Sequence, residues 1–181
     1  MTEGEKREPQ YFKNFSKDHS RFKIVVVERD TRENNSPLGL LSKAEEYKRI
    51  IVGTGEYQIH SNDEFWIVVD VDRWPDLDRF IQIAESKGWK VAISNSCFEV
   101  WLYYHFFSEL PNADLSIWDG EDWKQYVDNV VPGGFDSGKY WGRYQDAVRN
   151  AKEKFRELSG LPTPGNTSVF KIFEEFVEDY D

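Results

Sequence analysis

The chain has 181 residues, the length of one domain of ordinary size or of one domain with a small appendage. Hydrophobic residues make up 39% of it and aromatic residues 16%, which argues against a disordered chain and predicts a sizeable buried core. The formal net charge is −10. An acidic surface repels polyphosphate and so argues against a stand-alone nucleic-acid coat protein. A metal-dependent enzyme acting on nucleic acid is still allowed, because its carboxylates bind cations.

The composition also bears on the compartment. The single cysteine, Cys97, cannot form an internal disulfide, and residues 1–10 contain no apolar run of the kind a secretory signal carries. No stretch approaches the roughly 18 consecutive apolar residues of a membrane span. We therefore expect a cytoplasmic protein with no membrane partner.

The first two thirds of the chain alternate between helix-like and strand-like segments. Apolar residues recur every three or four positions along residues 38–52, as on one face of a helix. Residues 65–71 form an unbroken apolar run, typical of a strand covered on both faces. The alternation favours an α/β fold with a largely parallel sheet. Helices are predicted over residues 9–19, 38–52, 75–88 and 97–107, and strands over residues 22–27, 65–71 and 89–93.

The pattern changes after Leu110, where helical segments follow one another. Helices are predicted over residues 118–131, 139–158 and 168–178, separated by Pro-Gly breaks. We expect residues 1–110 to form the α/β core. Residues 111–181 are expected to form a helical extension packed on that core, as a packing layer or a lid.

Two carboxylates end the apolar strand at residues 65–71. Side chains alternate along a strand, so Asp70 and Asp72 point to the same side, about 7 Å apart, where they repel unless a cation lies between them. The carboxyl edge of a parallel sheet is also where sites form in open α/β folds. Hard oxygen ligands at this edge suit Mg²⁺ or Mn²⁺. The alternative is that one Asp caps the next turn and the other pairs with Arg73.

The next strand is followed by Asn95 and Glu99, which the topology brings to the same edge of the sheet. Local capping is the alternative for Glu99, because an acidic residue in the first turn is favourable with the helix dipole. His105 lies among aromatic residues and is interpreted as a hydrogen-bonded core residue. Cys97 has no evident base near it and is interpreted as a small buried residue.

Five of the six basic residues in the predicted helix 139–158 form a candidate basic strip. Three of them recur at i, i+3 and i+7 and share one helical face, with the other two upstream. Such a strip would hold a nucleic-acid backbone. The alternative is a solvated helix face on which Asp146 and Glu153 accompany the basic side chains. The five residues are Lys139, Arg143, Arg149, Lys152 and Arg156.

Four segments resemble motifs of the RloB-like family. Residues 3–12 (EGEKREPQYF) resemble its EGxxTEPxYF opening, and residues 70–73 (DVDR) match its DxDR-type motif. Residues 94–106 (SNSCFEVWLYYHF) resemble its SNPxFExWLxxHF signature, and residues 164–173 (PGNTSVFKIF) resemble its P-x-T-x-V element. Arg7 stands where the family often has Thr, and Ser96 stands where it often has Pro.

The RloB-like family is related to Toprim domains, the metal-binding catalytic fold of topoisomerases, primases and OLD-type nucleases. It is associated with restriction and phage-defence (abortive-infection) loci in bacteria. The resemblance implies a Toprim-like, mostly parallel sheet of about four strands flanked by helices. It implies that Glu3 is a general acid/base or metal ligand and that Asp70 and Asp72 bind Mg²⁺ or Mn²⁺. It places Asn95 and Glu99 at the catalytic site, with Glu99 as a further metal ligand.

One departure from the family concerns the first strand. In Toprim sheets a strand precedes the glutamate that Glu3 matches, and here Glu3 is the third residue. We therefore expect the first strand to be truncated or built differently. Glu28, after the predicted strand 22–27, is the alternative to Glu3 if that strand shifts inward.

The expected function is a Mg²⁺-dependent phosphodiesterase or nuclease that acts on DNA or RNA in bacterial phage defence, with an ATPase partner. The alternative is a non-catalytic sensor or scaffold that keeps the fold and partners an ATPase. A third possibility, phosphoryl or nucleotidyl transfer on a small nucleotide, would use the same carboxylates.

Overall fold

The structure is a computed structural model that describes residues 6–18, 26, 37–55, 58–71 and 76–177. No helix among these residues is long and apolar enough to cross a membrane. Their helices are α1 (Arg7–Asp18), α2 (Pro37–Gly53), α3 (Leu77–Ser86), α4 (Glu99–Tyr104), α5 (Gly120–Val130), α6 (Ser137–Trp141) and α7 (Tyr144–Lys154). Their strands are β1 (Trp66–Asp70), β2 (Lys90–Ser94), β3 (Glu157–Leu158) and β4 (Leu161–Pro162), and short 3₁₀ turns cover Leu115–Ile117, Val169–Ile172 and Glu174–Phe176.

A parallel pair of strands, β1 and β2, joined by α3, forms the centre of the α/β part. Trp66 pairs with Lys90 at one end and Asp70 pairs with Ser94 at the other, so both strands end at the same edge. Parallel strands need such a crossover connection, which α3 provides. A second, antiparallel pair consists of the two-residue strands β3 and β4.

The predicted α/β class is confirmed, but the predicted sheet of about four mostly parallel strands is not shown. The described residues form a mixed α/β fold whose parallel sheet has two strands. Apart from Val26, the predicted strand 22–27 lies outside the described residues. Residues 1–5, which include Glu3 and the start of the chain where the first strand is expected to be truncated, lie outside them too, so the four-stranded Toprim sheet is not part of the described structure.

Five predicted helices are confirmed to within three residues at each end, and the two nearest the C-terminus are corrected. The predicted helix 139–158 is two helices, α6 and α7, because the chain leaves helical geometry between Gly142 and Arg143. The C-terminal end of α7 gives way to the β3–β4 hairpin, where the Arg156 amide donates to the Asn166 side chain (3.0 Å). The predicted helix 168–178 is two short 3₁₀ turns.

Two clusters of buried apolar side chains lie on the two faces of β1. Val68 belongs to the larger cluster, which α1, α4, α5, α7 and the C-terminal segment build mainly from aromatic rings. Ile67 and Val69 belong to the smaller cluster, together with α2 and α3. This alternation is what a strand covered on both faces requires. The C-terminal helices therefore share a core with α1 and α4, while the division at residue 110 stays a prediction.

The C-terminal segment, residues 163–173, covers the edge of β2 that β1 leaves open. Ser168 exchanges two hydrogen bonds with the Ile93 backbone, and the Ser94 and Thr167 hydroxyls are 2.8 Å apart. The side chains of Thr167 and Ser168 compete with helical hydrogen bonding, as short hydroxyl residues do. This pairing explains why no regular helix begins at residue 168.

Gly165 fixes the turn that leads into this pairing. Its amide donates to the Asn95 carbonyl (2.8 Å), and its own carbonyl accepts from the Tyr104 hydroxyl (2.9 Å). Its φ is +77°, a conformation that favours glycine. A Cβ at this position would lie 2.6 Å from Leu115 Cδ1 and 3.1 Å from Leu110 Cδ2.

His105 is a hydrogen-bonded core residue, as the sequence predicts. Its side chain is buried, with Nδ1 2.9 Å from the Trp101 carbonyl oxygen and Nε2 3.0 Å from the Tyr11 hydroxyl. The carbonyl can only accept, so Nδ1 carries the proton and Nε2 accepts from Tyr11. Burial lowers the pKa of His105 to about 3, which keeps the ring neutral.

We expect Gly165→Ala to destabilise the fold more than Gly160→Ala. Gly160 has a similar φ, +83°, but open space around it, so both variants suffer the penalty of about 1–2 kcal/mol for a left-handed alanine. Only Gly165→Ala must also move two leucine side chains, which adds roughly 1–3 kcal/mol. Urea unfolding of both variants measures the difference, and equal losses would contradict the close packing at Gly165.

We expect His105 to make the fold less stable between pH 7 and pH 5. In the unfolded chain His105 is protonated as the pH falls below about 6.5, whereas in the folded chain it stays neutral down to about pH 3. The free energy of unfolding therefore falls as the pH falls. The contribution over this interval is about 2 kcal/mol. Urea unfolding at both pH values should show this loss in the wild type and in His60→Gln, whose histidine is exposed. It should be absent from His105→Gln, and equal pH dependence in all three proteins would refute the assignment.

Candidate functional site

The candidate site lies where β1 and β2 end. Asp70 is the last residue of β1 and pairs with Ser94, the last of β2, and the Val71 amide donates to the Ser94 carbonyl (2.7 Å). The loop of residues 95–98 leads from this edge into α4. The structure therefore brings Asp70 and the start of the third motif to one edge of the sheet, as the sequence predicts.

Glu99 is the first residue of α4 and is only 4% exposed. Its Oε1 lies 3.1 Å from Nη1 of Arg7, which belongs to α1. The other guanidinium nitrogen, Nη2, lies 2.8 Å from Oδ2 of Asp128, near the end of α5. One arginine thus pairs with two carboxylates from two other helices. Glu99 therefore makes an ion pair with a distant segment in addition to any local capping of α4.

An aromatic ring lies against this arginine. The Arg7 guanidinium lies 5.7 Å from the centre of the Phe135 ring, and Phe135 stacks on Tyr140 at 5.5 Å. Burial acts to lower the pKa of Arg7, but Asp128 and Glu99 outweigh it and the pKa is raised. Burial raises the pKa of Tyr140 to about 12, so its phenol stays protonated. Arg7 is therefore a fixed positive charge held in place on three sides.

The pKa of the buried Cys97 thiol is affected by the charges of two carboxylates. Burial raises the pKa of this thiol well above the usual value, and the negative charges of Glu99 and then Asp70 raise it further. The thiol points toward the Gly120 carbonyl (3.8 Å) and is buried, which confirms its interpretation as a small buried residue.

Asn95 and Ser96 have different surroundings in the connecting loop. The Asn95 side chain donates to the Pro162 carbonyl (2.7 Å), and its backbone bonds to Gly165 and Asn166, so it ties the loop to the C-terminal segment. Its catalytic role stays a prediction. The Ser96 hydroxyl is buried without a hydrogen-bond partner among the described residues. Native structures rarely leave such a group unpaired, and a bound ligand is one way to satisfy it.

The assignment of metal ligands stays a prediction. Glu3, Asp72 and the alternative Glu28 lie outside the described residues. Among the residues that are described, no three or more His, Cys, Asp or Glu side chains group as a metal site. The oxygen donors at the edge, Asp70 and Glu99 with the Ser96 hydroxyl nearby in the chain, fit a hard cation in kind. Their number is completed only if Glu3 and Asp72 join them.

The five residues of the basic strip do not share one helix face, and most of them pair with carboxylates or a carbonyl. Arg156 lies beyond the end of α7, so the predicted single helical face does not exist, because the chain has already turned toward the hairpin. Asp146 accepts from Arg149 (2.8 Å) and lies 3.9 Å from Arg143, and Lys152 pairs with Glu174 (2.7 Å). Lys139 donates to the Pro132 carbonyl. These pairs favour the solvated-face alternative, and backbone binding by the five residues stays a prediction.

Sequence reasoning overlooked two residues of this site. Arg7 could have been singled out from the sequence, because it stands where the RloB-like family often has Thr. Asp128 gave no such signal, since it lies 121 residues from Arg7 and reads as an ordinary exposed helix acid. Neither contact follows from local spacing.

We expect Cys97 to resist alkylation in the folded protein. The thiolate is the reactive form, and burial beside two carboxylates disfavours it. Iodoacetamide treatment at pH 8, followed by mass spectrometry, should leave Cys97 unmodified in buffer and modify it fully in urea. Rapid modification under native conditions would contradict the packing around the sulfur.

The comparisons with known proteins agree with the four motif segments. The RloB-like protein family matches residues 1–175, nearly the whole chain. Neither the comparison with curated proteins nor that with solved structures finds a match. The family match includes both ends of the Arg7–Glu99 pair and the C-terminal segment that binds β2. The chain belongs to the RloB-like family.

Proposed function

We propose that this chain is a Toprim-like phosphodiesterase or nuclease that uses Mg²⁺ or Mn²⁺ to cleave DNA or RNA. The proposal includes a role in bacterial phage defence together with an ATPase partner, which rests on the associations of the RloB-like family. The observation that carries the enzymatic part is that Asp70 ends β1 at the edge of the sheet from which the chain leads into α4 and its first residue, Glu99.

The position of this edge supports a cation. Asp70 ends β1 at the carboxyl edge of the parallel strands, where α/β folds place ligand sites, and Glu99 begins α4 after the loop that leaves this edge. Arg7 compensates the charge of Glu99, and the proposed divalent cation would bind the carboxylate of Asp70. The Ser96 hydroxyl, which has no hydrogen-bond partner among the described residues, adds an oxygen in the same loop.

The chain's own residues have distinct tasks under this proposal. Asp70 and Glu99, with Glu3 and Asp72, would hold the metal. The bound ion would polarise a phosphoryl oxygen and stabilise the developing charge of a phosphodiester displacement. Arg7 fixes the orientation of the Glu99 carboxylate, and the bonds between Asn95 and the C-terminal segment hold the loop in place. Such rigid positioning by surrounding residues is what a catalytic constellation needs.

Nucleic acid would approach over the side of the molecule that carries α6 and α7. Lys139, Arg143, Arg149, Lys152 and Arg156 are the residues proposed to contact its backbone. Arg143 and Arg149 are more than half exposed, so their side chains can reorient toward a phosphate.

One observation favours the alternative, a non-catalytic sensor or scaffold that partners an ATPase. Glu99 is already neutralised by Arg7, so its burial requires no metal ion. A chain that had lost catalysis could keep its fold unchanged through this ion pair.

We expect Asp70→Asn to abolish divalent-dependent cleavage while leaving the fold intact. Loss of even an outer-shell partner of a metal costs roughly 10–100-fold in activity, so loss of a direct ligand should cost at least as much. Labelled single- and double-stranded DNA and RNA are incubated with Mg²⁺ or Mn²⁺, with and without the ATPase from the same locus. Asp78→Asn is the matched control, because Asp78 is exposed on α3.

Two outcomes would contradict the enzymatic proposal. One is cleavage that survives in Asp70→Asn at the wild-type rate. The other is phage protection in cells that persists in Asp70→Asn while no cleavage is found for the wild type, which would establish the scaffold alternative.

A further inference from the structure

Two cationic side chains lie over one aromatic ring just beyond α4. The Lys139 ammonium lies 5.5 Å from the centre of the Phe106 ring, and the Arg143 guanidinium lies 5.1 Å from it. The ring attracts each cation, although the two positive charges repel each other. Phe106 is only partly buried, and the Arg143 side chain is 52% exposed, so this group can be reached from solvent.

The carboxylates nearby leave both cations available. Asp146 lies 3.9 Å from Arg143, but it accepts a hydrogen bond from Arg149 at 2.8 Å. The Asp136 side chain accepts from the backbone at the start of α6, and Lys139 donates to a backbone carbonyl. In the part of the chain that the structure describes, neither cation therefore lies within hydrogen-bond distance of a carboxylate.

This group adjoins the candidate site through two ring contacts. Phe106 packs edge-on against Tyr140 at 5.2 Å, and Tyr140 stacks with Phe135 at 5.5 Å. Phe135 in turn lies against the guanidinium of Arg7, which pairs with Glu99. A ligand held at the two cations is therefore close to the residues that surround Glu99.

We propose that Phe106, Lys139 and Arg143 form a subsite for one unpaired nucleotide, so that the chain binds single-stranded DNA or RNA. The two cations each bind one of the phosphates that flank this nucleotide, and its base stacks against the exposed part of the ring and the guanidinium beside it. Proteins hold single strands by this combination of positive charge and aromatic stacking. The inference rests on the proposed function, because it takes nucleic acid as the substrate, but it requires no metal ion.

The charge of the chain favours one strand over two. A duplex keeps its bases stacked inside, so non-specific binding to it depends on phosphate contacts and gains nothing from an aromatic ring. With a formal net charge of −10, the chain repels both backbones of a duplex. A single strand needs fewer phosphate contacts, because stacking of an unpaired base supplies part of the binding free energy.

Fluorescence anisotropy in EDTA measures this binding with no divalent ion present. Labelled oligothymidylate, oligouridylate and a duplex of the same length are titrated with the wild type and the variants at several salt concentrations. The variants are Phe106→Leu, Phe106→Tyr, Lys139→Gln and Arg143→Gln, and circular dichroism shows which of them fold. Arg79→Gln is the matched charge control, because Arg79 is exposed on α3, which packs on the other face of β1. A polyglutamate peptide serves as a competitor of another chemical class.

The wild type is expected to bind both single strands at least about tenfold more tightly than the duplex. Phe106→Leu should weaken single-strand binding roughly 5- to 100-fold without changing its salt dependence, because it removes a stacking surface and no charge. Phe106→Tyr keeps the ring and should bind like the wild type. Lys139→Gln and Arg143→Gln should each reduce the slope of log affinity against log salt by about 0.7, the value for one phosphate contact on a single strand. Arg79→Gln should change neither quantity.

Three results would overturn the inference: equal binding of single strands and duplex by the wild type, no binding of either, or unchanged binding by the folded variants. Displacement of the single strands by polyglutamate at equal charge would overturn it too, in favour of a site for acidic proteins. The divalent-dependent cleavage assay decides the proposed function separately. Cleavage without these binding effects leaves the enzyme standing and removes the subsite, whereas the binding effects without cleavage do the reverse. If Phe106→Leu does not fold, the strand preference of the wild type and the two glutamine variants still decide.

Discussion

The buried charge of Glu99 is the constraint on which the rest of the site depends. An ionised carboxylate removed from water costs several kcal/mol unless a partner compensates it. Arg7 is that partner, and Asp128 holds the other side of the guanidinium. Because the three residues belong to α1, α4 and α5, compensating one charge also sets where these helices stand relative to one another. The N-terminal helix is thereby fixed beside the edge at which β1 and β2 end.

Aromatic packing also holds α1 and α4 in the arrangement that the ion pair sets. Phe173, from the C-terminal segment, stacks on Phe12 of α1 at 6.0 Å and on Trp101 of α4 at 5.5 Å. The Tyr11 hydroxyl donates a hydrogen bond to the neutral ring of His105, which lies just beyond α4. The same C-terminal segment binds the end of β2 through Ser168. The described parts of the four family motifs therefore contact one another directly or through one intermediary, although they are distant in sequence.

Local patterns predicted the parts of this arrangement that short-range physics controls. The unbroken apolar run of β1 indicates a strand covered on both faces, and the topology of parallel strands then places Asp70 beside the loop to Glu99. The helix expected from residue 168 is absent because its hydroxyl side chains bond to a strand about 75 residues away. Arg7 and Asp128 gave no local sign of their contact, since an ion pair between distant segments has no periodicity. The four-stranded sheet came from the family resemblance and from no pattern in the described residues.

The surface electrostatics bear on how a nucleic acid would reach this site. The basic side chains of α7 and its neighbourhood pair with Asp146 and Glu174, and exposed ion pairs of this kind contribute only about 0–1 kcal/mol each. Replacing these ion pairs by contacts with phosphates therefore loses little free energy. The overall charge of −10 nevertheless repels a polyanion as it approaches. Short-range contact is available while long-range attraction is lacking. A chain with this balance gains most from a partner that brings the substrate to it, which is the task that the proposed ATPase would perform.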